Sequence, residues 1–494
     1  VTALPNIPFD NRYVRLPERF YAKQNPEAAR APSAIRLNAP LAEELRLDAD
    51  SLAAPEGLDV LAGNRVPEGA EPIAMAYAGH QFGRFVPQLG DGRALLLGEV
   101  LDAEGQRRDL QLKGSGRTPF SRGGDGRAWI DPVIREYIVS EAMHALGIPT
   151  TRALAAVRTG EPVFRETALP GAVLTRVAAS HIRVGTFEYF AARGDGEAVR
   201  QLADHAIARH YPDIAGEAEP YRAFLGAVAR RQAALVAEWL RVGFIHGVMN
   251  TDNMAISGET LDYGPCAFMD AYDPNTVFSS IDRGGRYAYD QQPGMAQWNL
   301  ARLAETLLPL LDSDENKATA IANETLDEAA RSFREAWRRA MRAKLGLFAE
   351  EDGDSELAQN FLDLLARNAA DFTRSFRALG DLAETSGENG FLQTALGGDG
   401  AWPAWRERWR RRLERQPQSL AQAAERMRRH NPARIPRNHS VERAIREAVE
   451  RGDDAFMREM IEASARPYED SGGDAFWNRP PEPEERVART FCGT

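Results

Sequence analysis

The chain has 494 residues, 43% hydrophobic and 27% charged, with a formal net charge of −11. That length excludes a single small domain and sets an expectation of about two to four. The acidic balance lacks the basic footprint of a nucleic-acid binder, and no run of about 18 apolar residues is present to span a bilayer.

The first residues, VTALPNIPFDNRYVRLPERF, lack the basic-then-apolar pattern of a secretory signal. Two cysteines, Cys266 and Cys492, exclude a disulfide scaffold and favour a reducing compartment, so the expected address is cytoplasmic. Residues 1–70 mix Pro, Ala and Leu in short helix-like pieces and read as an extension wrapped on a core. Residues 71–178 turn β-rich, with strand-like runs at Ala94–Val100, Asp109–Leu112, Leu154–Val157 and Ala172–Val177. One helix interrupts them: Asp131 is the expected N-cap, Pro132 suits the first turn, and VIREYIVSEAMHAL runs on to Gly147.

Beyond about residue 180 the helical period takes over. Phe224, Val228, Leu235 and Trp239 share one face, as do Leu300, Leu303, Leu307 and Leu310. Phe333, Trp337 and Met341 mark a third helix, stopped at Gly346, and Leu357, Phe361, Leu364 and Leu365 a fourth. Further helices are expected over 402–414, 441–450 and 453–464, and the last thirty residues read as an ordered arm or a loose tail. The basic run RERWRRRLER at 406–415 puts Trp405 and Trp409 on one face and reads as a solvated amphipathic helix. The expected fold is α+β, a small β-rich lobe followed by a large helical one.

Three features carry chemistry. Gly90-Asp91-Gly92-Arg93 precedes a strand, where glycines let backbone N–H groups approach a phosphate; an ordinary hairpin turn is the competing reading, and Leu95 stands where a third glycine would be. Lys113 ends the strand RDLQLK, and Glu136 on the following helix can pair with it, with Glu141 as the rival partner. The third is GFIHGVMNTDNMAISGETLDYGP. His246 and Asn253 stand seven residues apart, as in the kinase pattern H-R-D-x-x-x-x-N, and Asp262-Tyr263-Gly264 stands where D-F-G would follow. Asn253 and Asp262 offer hard oxygen ligands for Mg²⁺ or Mn²⁺. Val248 replaces the usual kinase base, while Asp252, beside Asn253, can act as a base if the nucleotide sits differently.

With those residues in place the chain resembles the selenoprotein O family, a kinase-like family. The matching stretches are YAGHQFGRFVPQLGDGRALLLGE, LQLKGSGRTPFSRGGDGRAW, IREYIVSEAMHALGIPTTRAL, HGVMNTDNM with LDYGP, and NPARIPRNH. The resemblance implies a bilobal kinase-like fold with terminal extensions: 1–70 an N-terminal extension, 71–178 an N-lobe, 179–320 a C-lobe with the catalytic and metal loops, and 321–494 a C-terminal helical extension and tail. It implies ATP bound in an inverted orientation and AMP transferred to Ser, Thr or Tyr hydroxyls of proteins, with no nucleic-acid or membrane partner. By the same resemblance Gly90, Gly92, Arg93, Lys113, Asp125, Gly126, Arg176, Arg183 and Asp262 bind ATP and Glu136 pairs with Lys113. Asp252 is then the proton acceptor, and Asn253 and Asp262 are metal ligands. A conventional phosphotransferase and an inactive ATP-binding scaffold are the alternatives. Some family members carry selenocysteine near the C-terminus, and Cys492 matches that position in a bacterial, cysteine-containing form. A reversible Cys266–Cys492 disulfide that clamps the tail over the site is an expectation of the same reading.

Overall fold

The computed structural model describes residues 4–385, 389–470 and 476–491. The fold is α+β. Strands β1 (Tyr21–Lys23) and β2 (Ser33–Leu37) come first, then short helices α1 (Ala39–Glu44), α2 (Ala49–Ala53) and α3 (Pro55–Leu61). Next are β3 (Ile73–Met75), the hairpin β4 (Gly79–Gln81) and β5 (Arg84–Val86), β6 (Ala94–Leu101), β7 (Arg107–Lys113) and β8 (Ala128–Trp129). Helix α4 (Ile130–Ala145) leads to β9 (Arg152–Phe164) and β10 (Ala168–Ala178).

One antiparallel sheet runs β1-β3-β6-β7-β10-β9-β2, with β8 paired to β10. Its two ends are strands from residues 21–37, a stretch that reads as helix-like pieces in sequence; at three and five residues these strands are too short to show alternation. β9 and β10 extend well past the expected 154–157 and 172–177. Helix α4 begins at Ile130 with Trp129 as N-cap, not Asp131, because β8 runs directly into it. Asp131 and Pro132 fall in the first turn, where a missing N–H costs nothing.

The remainder is helical: α5 (Val184–Ala191), α6 (Gly196–His210) and α7 (Pro220–Val242), then a two-stranded ribbon of β11 (Phe244–Ile245) and β12 (Ala267–Phe268). Helices α8 (Gln292–Leu311), α9 (Glu315–Lys344), α10 (Asp354–Arg367), α11 (Phe372–Glu384), α12 (Gly390–Leu396), α13 (Trp402–Glu414) and α14 (Leu420–His430) follow. The last are α15 (Asn438–Arg451) and α16 (Ala455–Ser464). No helix among the described residues is long and apolar enough to cross a membrane. On α13, Trp402, Trp405 and Trp409 stack at 5.7 Å and are buried. Arg408, Arg410, Arg411, Arg412 and Arg415 each meet a carboxylate, so the basic run is locally balanced.

Helix α4 lies between the sheet and the C-terminal helices. Ile130, Val133, Ile134, Tyr137 and Ile138 pack against Ala153, Ala172 and Leu174 of the sheet and against Val441, Ile445, Phe456 and Met460 of α15 and α16. Arg135, 3% exposed, donates to Asn438 at 3.1 Å and pairs with Glu442. Arg437, just before α15, pairs with Asp371 at 2.8 Å and with Asp270, which follows β12. The chain's last described stretch returns toward the 262–266 segment: Thr490 Oγ1 donates to the Pro265 carbonyl at 2.7 Å.

Candidate functional site

The register of β7 and β10 sets the first half of the site. Lys113 lies opposite Leu174 and Gln111 opposite Arg176, so Gln111, Lys113 and Arg176 project from one face. That face is covered by α4, whose Glu136 is 1% exposed. Glu136 accepts from Lys113 Nζ at 2.6 Å and from Arg176 Nε at 2.7 Å. The rival Glu141 instead bonds Arg152 at 2.9 Å and Asn38 at 2.8 Å.

The second half comes from the loops after α7. His246 is buried; its Nε2–H donates to the Leu261 carbonyl at 2.9 Å, which leaves Nδ1 to accept Val248 N–H at 3.3 Å. The ring thus ties the start of the loop to the residue before Asp262. Asp262 has φ +62°, a left-handed conformation that few non-glycine residues adopt. This turn points its carboxylate at three cations: Arg176 at 2.7 Å, Lys113 at 3.4 Å, and Arg183. Burial alone would raise the Asp262 carboxyl, but Arg176, Arg183 and Lys113 outweigh it and hold it well below the ordinary range. Burial lowers the Lys113 ammonium, opposed by Glu136. Arg183 also donates to the Asp252 carbonyl and lies 4.7 Å over the Tyr77 ring.

Asp252 differs from Asp262. Burial pushes its carboxyl up to about 6, against a 3.1 Å bond from Gln81 and the charge of Arg183. Among the described residues its Oδ1 is buried without a hydrogen-bond partner. Asn253 Nδ2 donates to the Val248 carbonyl at 3.0 Å, so a cation could be held only by its amide oxygen.

The glycine turn serves packing as well as access. At Gly90 a Cβ would lie 2.3 Å from the Phe120 ring, and at Gly92 2.8 Å from the Phe120 carbonyl, so both glycines let the 114–127 loop close on the turn. Leu95 is buried in the sheet. In that loop Asp125 pairs with Arg165 at 2.7 Å, and Gly126 has φ +66°.

Gly90, Gly92, Arg93, Lys113, Asp125, Gly126, Arg176, Arg183, Asp252, Asn253 and Asp262 all line one pocket of about 540 Å³, a size suited to a nucleotide. Glu136 stands behind it. Val248 lines it too, where a kinase carries its base. Residues the sequence did not single out also line it: Tyr77, Gln81 and Phe82 from the β4–β5 hairpin region, Arg122, Arg127, Arg165 and Asn250. The stretch YAGHQFGRF was the signal for the hairpin, but it offers no acid, base or cation in a catalytic spacing. Cys266 is buried beside this loop, and Cys492 lies outside the described residues. Among the described residues no group of three or more His, Cys, Asp or Glu side chains is arranged to hold a metal.

Comparison with known proteins adds a family. A model described as "Protein adenylyltransferase SelO" matches residues 3–465. The chain is 60% identical over 486 residues to the protein nucleotidyltransferase YdiU of Rhizobium meliloti, covering 98% of this chain and 99% of the relative. It is 60% identical over 489 residues to its counterpart in a Bradyrhizobium species, covering 99% of each chain, and 60% over 500 residues to that of Methylorubrum populi, covering 100% of both.

Proposed function

This chain belongs to the SelO family of protein adenylyltransferases, and from that premise we propose that it transfers AMP from ATP to Ser, Thr or Tyr hydroxyls of proteins, with Asp252 as proton acceptor. The observation that carries the assignment is the pairing, in one pocket, of a three-cation cluster with a separate buried carboxylate whose Oδ1 has no partner among the described residues. A strand lysine paired to a helix glutamate, followed by helical structure with the loop residues Asn253 and Asp262, supports a kinase-like arrangement of two lobes with the nucleotide between them.

In this reading the acceptor oxygen attacks the α-phosphorus. The new O–Pα bond forms as the bond from Pα to the bridging oxygen of pyrophosphate breaks. The hydroxyl proton passes to Asp252, and pyrophosphate leaves with the electron pair. Lys113, Arg176 and Arg183 hold the phosphates, the two arginines by forked hydrogen bonds. Their charge is in place before reaction, so little reorganisation is needed as negative charge builds on the leaving group. Glu136 fixes the ammonium of Lys113 and the guanidinium of Arg176. Val248 leaves no carboxylate at the kinase base position, which supports the inverted nucleotide and counts against γ-phosphate transfer.

Asn253 and Asp262 fit a hard divalent cation, Mg²⁺ or Mn²⁺. One offers an amide oxygen, the other a carboxylate kept ionised by its neighbours. Asn253 and Asp262 would hold such an ion, which when bound would supply charge neutralisation on the triphosphate. ATP labelled in parallel at the α- and γ-phosphates tests the function: only α-label should reach protein. Transfer of γ-label overturns the reading in favour of a phosphotransferase. Transfer of neither overturns it in favour of a scaffold.

A further inference from the structure

The β4–β5 hairpin, in the stretch YAGHQFGRF, has no part in the chemistry above, yet it is fastened to the loop that carries Asp252. Three consecutive hairpin residues hold three consecutive loop residues. Phe82 N–H donates to Asn250 Oδ1 at 3.0 Å, His80 N–H to Thr251 Oγ1 at 2.7 Å, and Gln81 Nε2 to Asp252 Oδ2 at 3.1 Å. Two of the three anchors are themselves held. Tyr287 donates to Asn250 Oδ1 at 2.7 Å, and Glu188 joins the His80 ring to the Thr251 hydroxyl.

The backbone is shaped to the same contact. A Cβ on Gly79 would lie 2.4 Å from Asp252 Oδ1 and 2.9 Å from its Cγ, so the carboxylate occupies the space a side chain would fill. A Cβ on Gly185 would lie 2.1 Å from the Ala78 carbonyl, and Ala78 N–H donates to Gly185 O at 2.9 Å. The hairpin is therefore seated between α5 and the 250–253 loop.

We infer that Gln81 is a positioning residue for AMP transfer: its amide takes one lone pair of Asp252 Oδ2 while Oδ1 is lodged against Gly79, so the carboxylate is held at one angle with the other lone pair of Oδ2 left for the acceptor hydroxyl. This rests on the reading of Asp252 as proton acceptor. A carboxylate free to rotate about its last two bonds spends little time with one oxygen aimed at a given hydroxyl. A single donor on Oδ2, with Gly79 backing Oδ1, removes that freedom without consuming the reactive lone pair. Gln81 lines the pocket, and among the described residues its side-chain hydrogen bond goes to Asp252 and to no residue assigned here to phosphate or cation, so it should affect turnover and not nucleotide affinity.

The test is a double-mutant cycle in the full-length protein with Gln81→Ala and Asp252→Ala. It is read as kcat by α-label transfer, in long single-turnover incubations for the slow variants, and as ATP affinity by calorimetry. Gln81→Ala should lower kcat about ten- to hundredfold with unchanged ATP affinity, and should cost nothing further in the Asp252→Ala background. Gln81→Glu, which keeps the side chain's size but sets carboxylate against carboxylate, should lose at least as much as Gln81→Ala. Normal turnover of Gln81→Ala beside a slow Asp252→Ala overturns the role of Gln81 alone. So does an equal loss from Gln81→Ala in both backgrounds, or weakened ATP binding. Normal turnover of Asp252→Ala overturns the proton-acceptor reading and this inference with it.

Discussion

Asp262 occupies the centre of the cations assigned to phosphate, and replacing it with Asn tests whether it competes with phosphate for them. Among the described residues the carboxylates within ion-pair distance of Lys113, Arg176 and Arg183 are Glu136 and Asp262, so these five side chains carry a net charge of about +1, and Asp262→Asn raises it to about +2. Asn is the right replacement because it tolerates the φ of +62° better than most residues. Opposite charges at about 4 Å attract by roughly 4 kcal/mol at an intermediate dielectric. Removing one partner of a buried pair costs about 3–5 kcal/mol net. The variant should therefore lose about 3–5 kcal/mol of stability without nucleotide, measured by urea unfolding. A triphosphate restores the missing negative charge. If half of the lower figure returns on binding, about 1.5 kcal/mol, ATP in the presence of a chelator should bind the variant roughly tenfold more tightly than wild type. With divalent metal supplied, transfer should nevertheless fall to background. Calorimetric titration of both proteins with ATP in chelator decides the matter: equal or weaker metal-free binding by Asp262→Asn would show that this carboxylate does not compete with phosphate.

Other outcomes follow from the same contacts. Glu136→Gln weakens charge-assisted bonds to Lys113 and Arg176, each worth about 1.5–3 kcal/mol, so kcat/KM should fall about ten- to hundredfold in α-label transfer. Gly126→Ala puts a Cβ 1.9 Å from the Gly116 carbonyl at a φ of +66°; ATP binding should be lost, and chemical denaturation should show at least about 1 kcal/mol of destabilisation. Lys344 is buried with Nζ 2.7 Å from the Arg241 carbonyl, and burial, with Arg241 adding, holds its pKa well below the ordinary lysine value. Between the folded and unfolded pKa values the unfolded chain binds more protons, so raising the pH stabilises the folded state there. Unfolding at pH 7 and pH 9 should show wild type gaining on Lys344→Met; a pH-independent gap would contradict this.

Much of the candidate site could be located from sequence because each part has a local signature. The glycine turn, the strand lysine and the His246–Asn253 spacing keep their chemistry in short windows. The choice between Glu136 and Glu141 was beyond that reach: both lie on α4, and only the helix's rotation against β7 and β10 separates them. Without the family resemblance, Arg176 and Arg183 are two arginines among many; the β7–β10 register and the N-terminal end of α5 make them neighbours of Asp262. The β4–β5 hairpin escaped because its strands are three residues each and its value lies in what it touches 170 residues later. The helix periodicities in the second half anticipated α7 to α10 and α13 closely, since long amphipathic faces leave a strong imprint. The pairing of Cys266 with Cys492 is left where the sequence put it, because Cys492 is outside the described residues.

The grip of Asn438 and Glu442 on Arg135 has a bearing on biosynthesis. Arg135 is the immediate neighbour of Glu136, and the outer face of their helix is roofed by α15 and α16. A ribosome-bound chain that has already emitted every glycine, cation and carboxylate of the pocket still lacks this roof, and bare apolar side chains of α4 face water. Phosphate-binding competence should thus arrive late, when synthesis is nearly complete. A nonsense mutation just upstream of residue 438 should yield an aggregation-prone fragment with every pocket residue present and no activity.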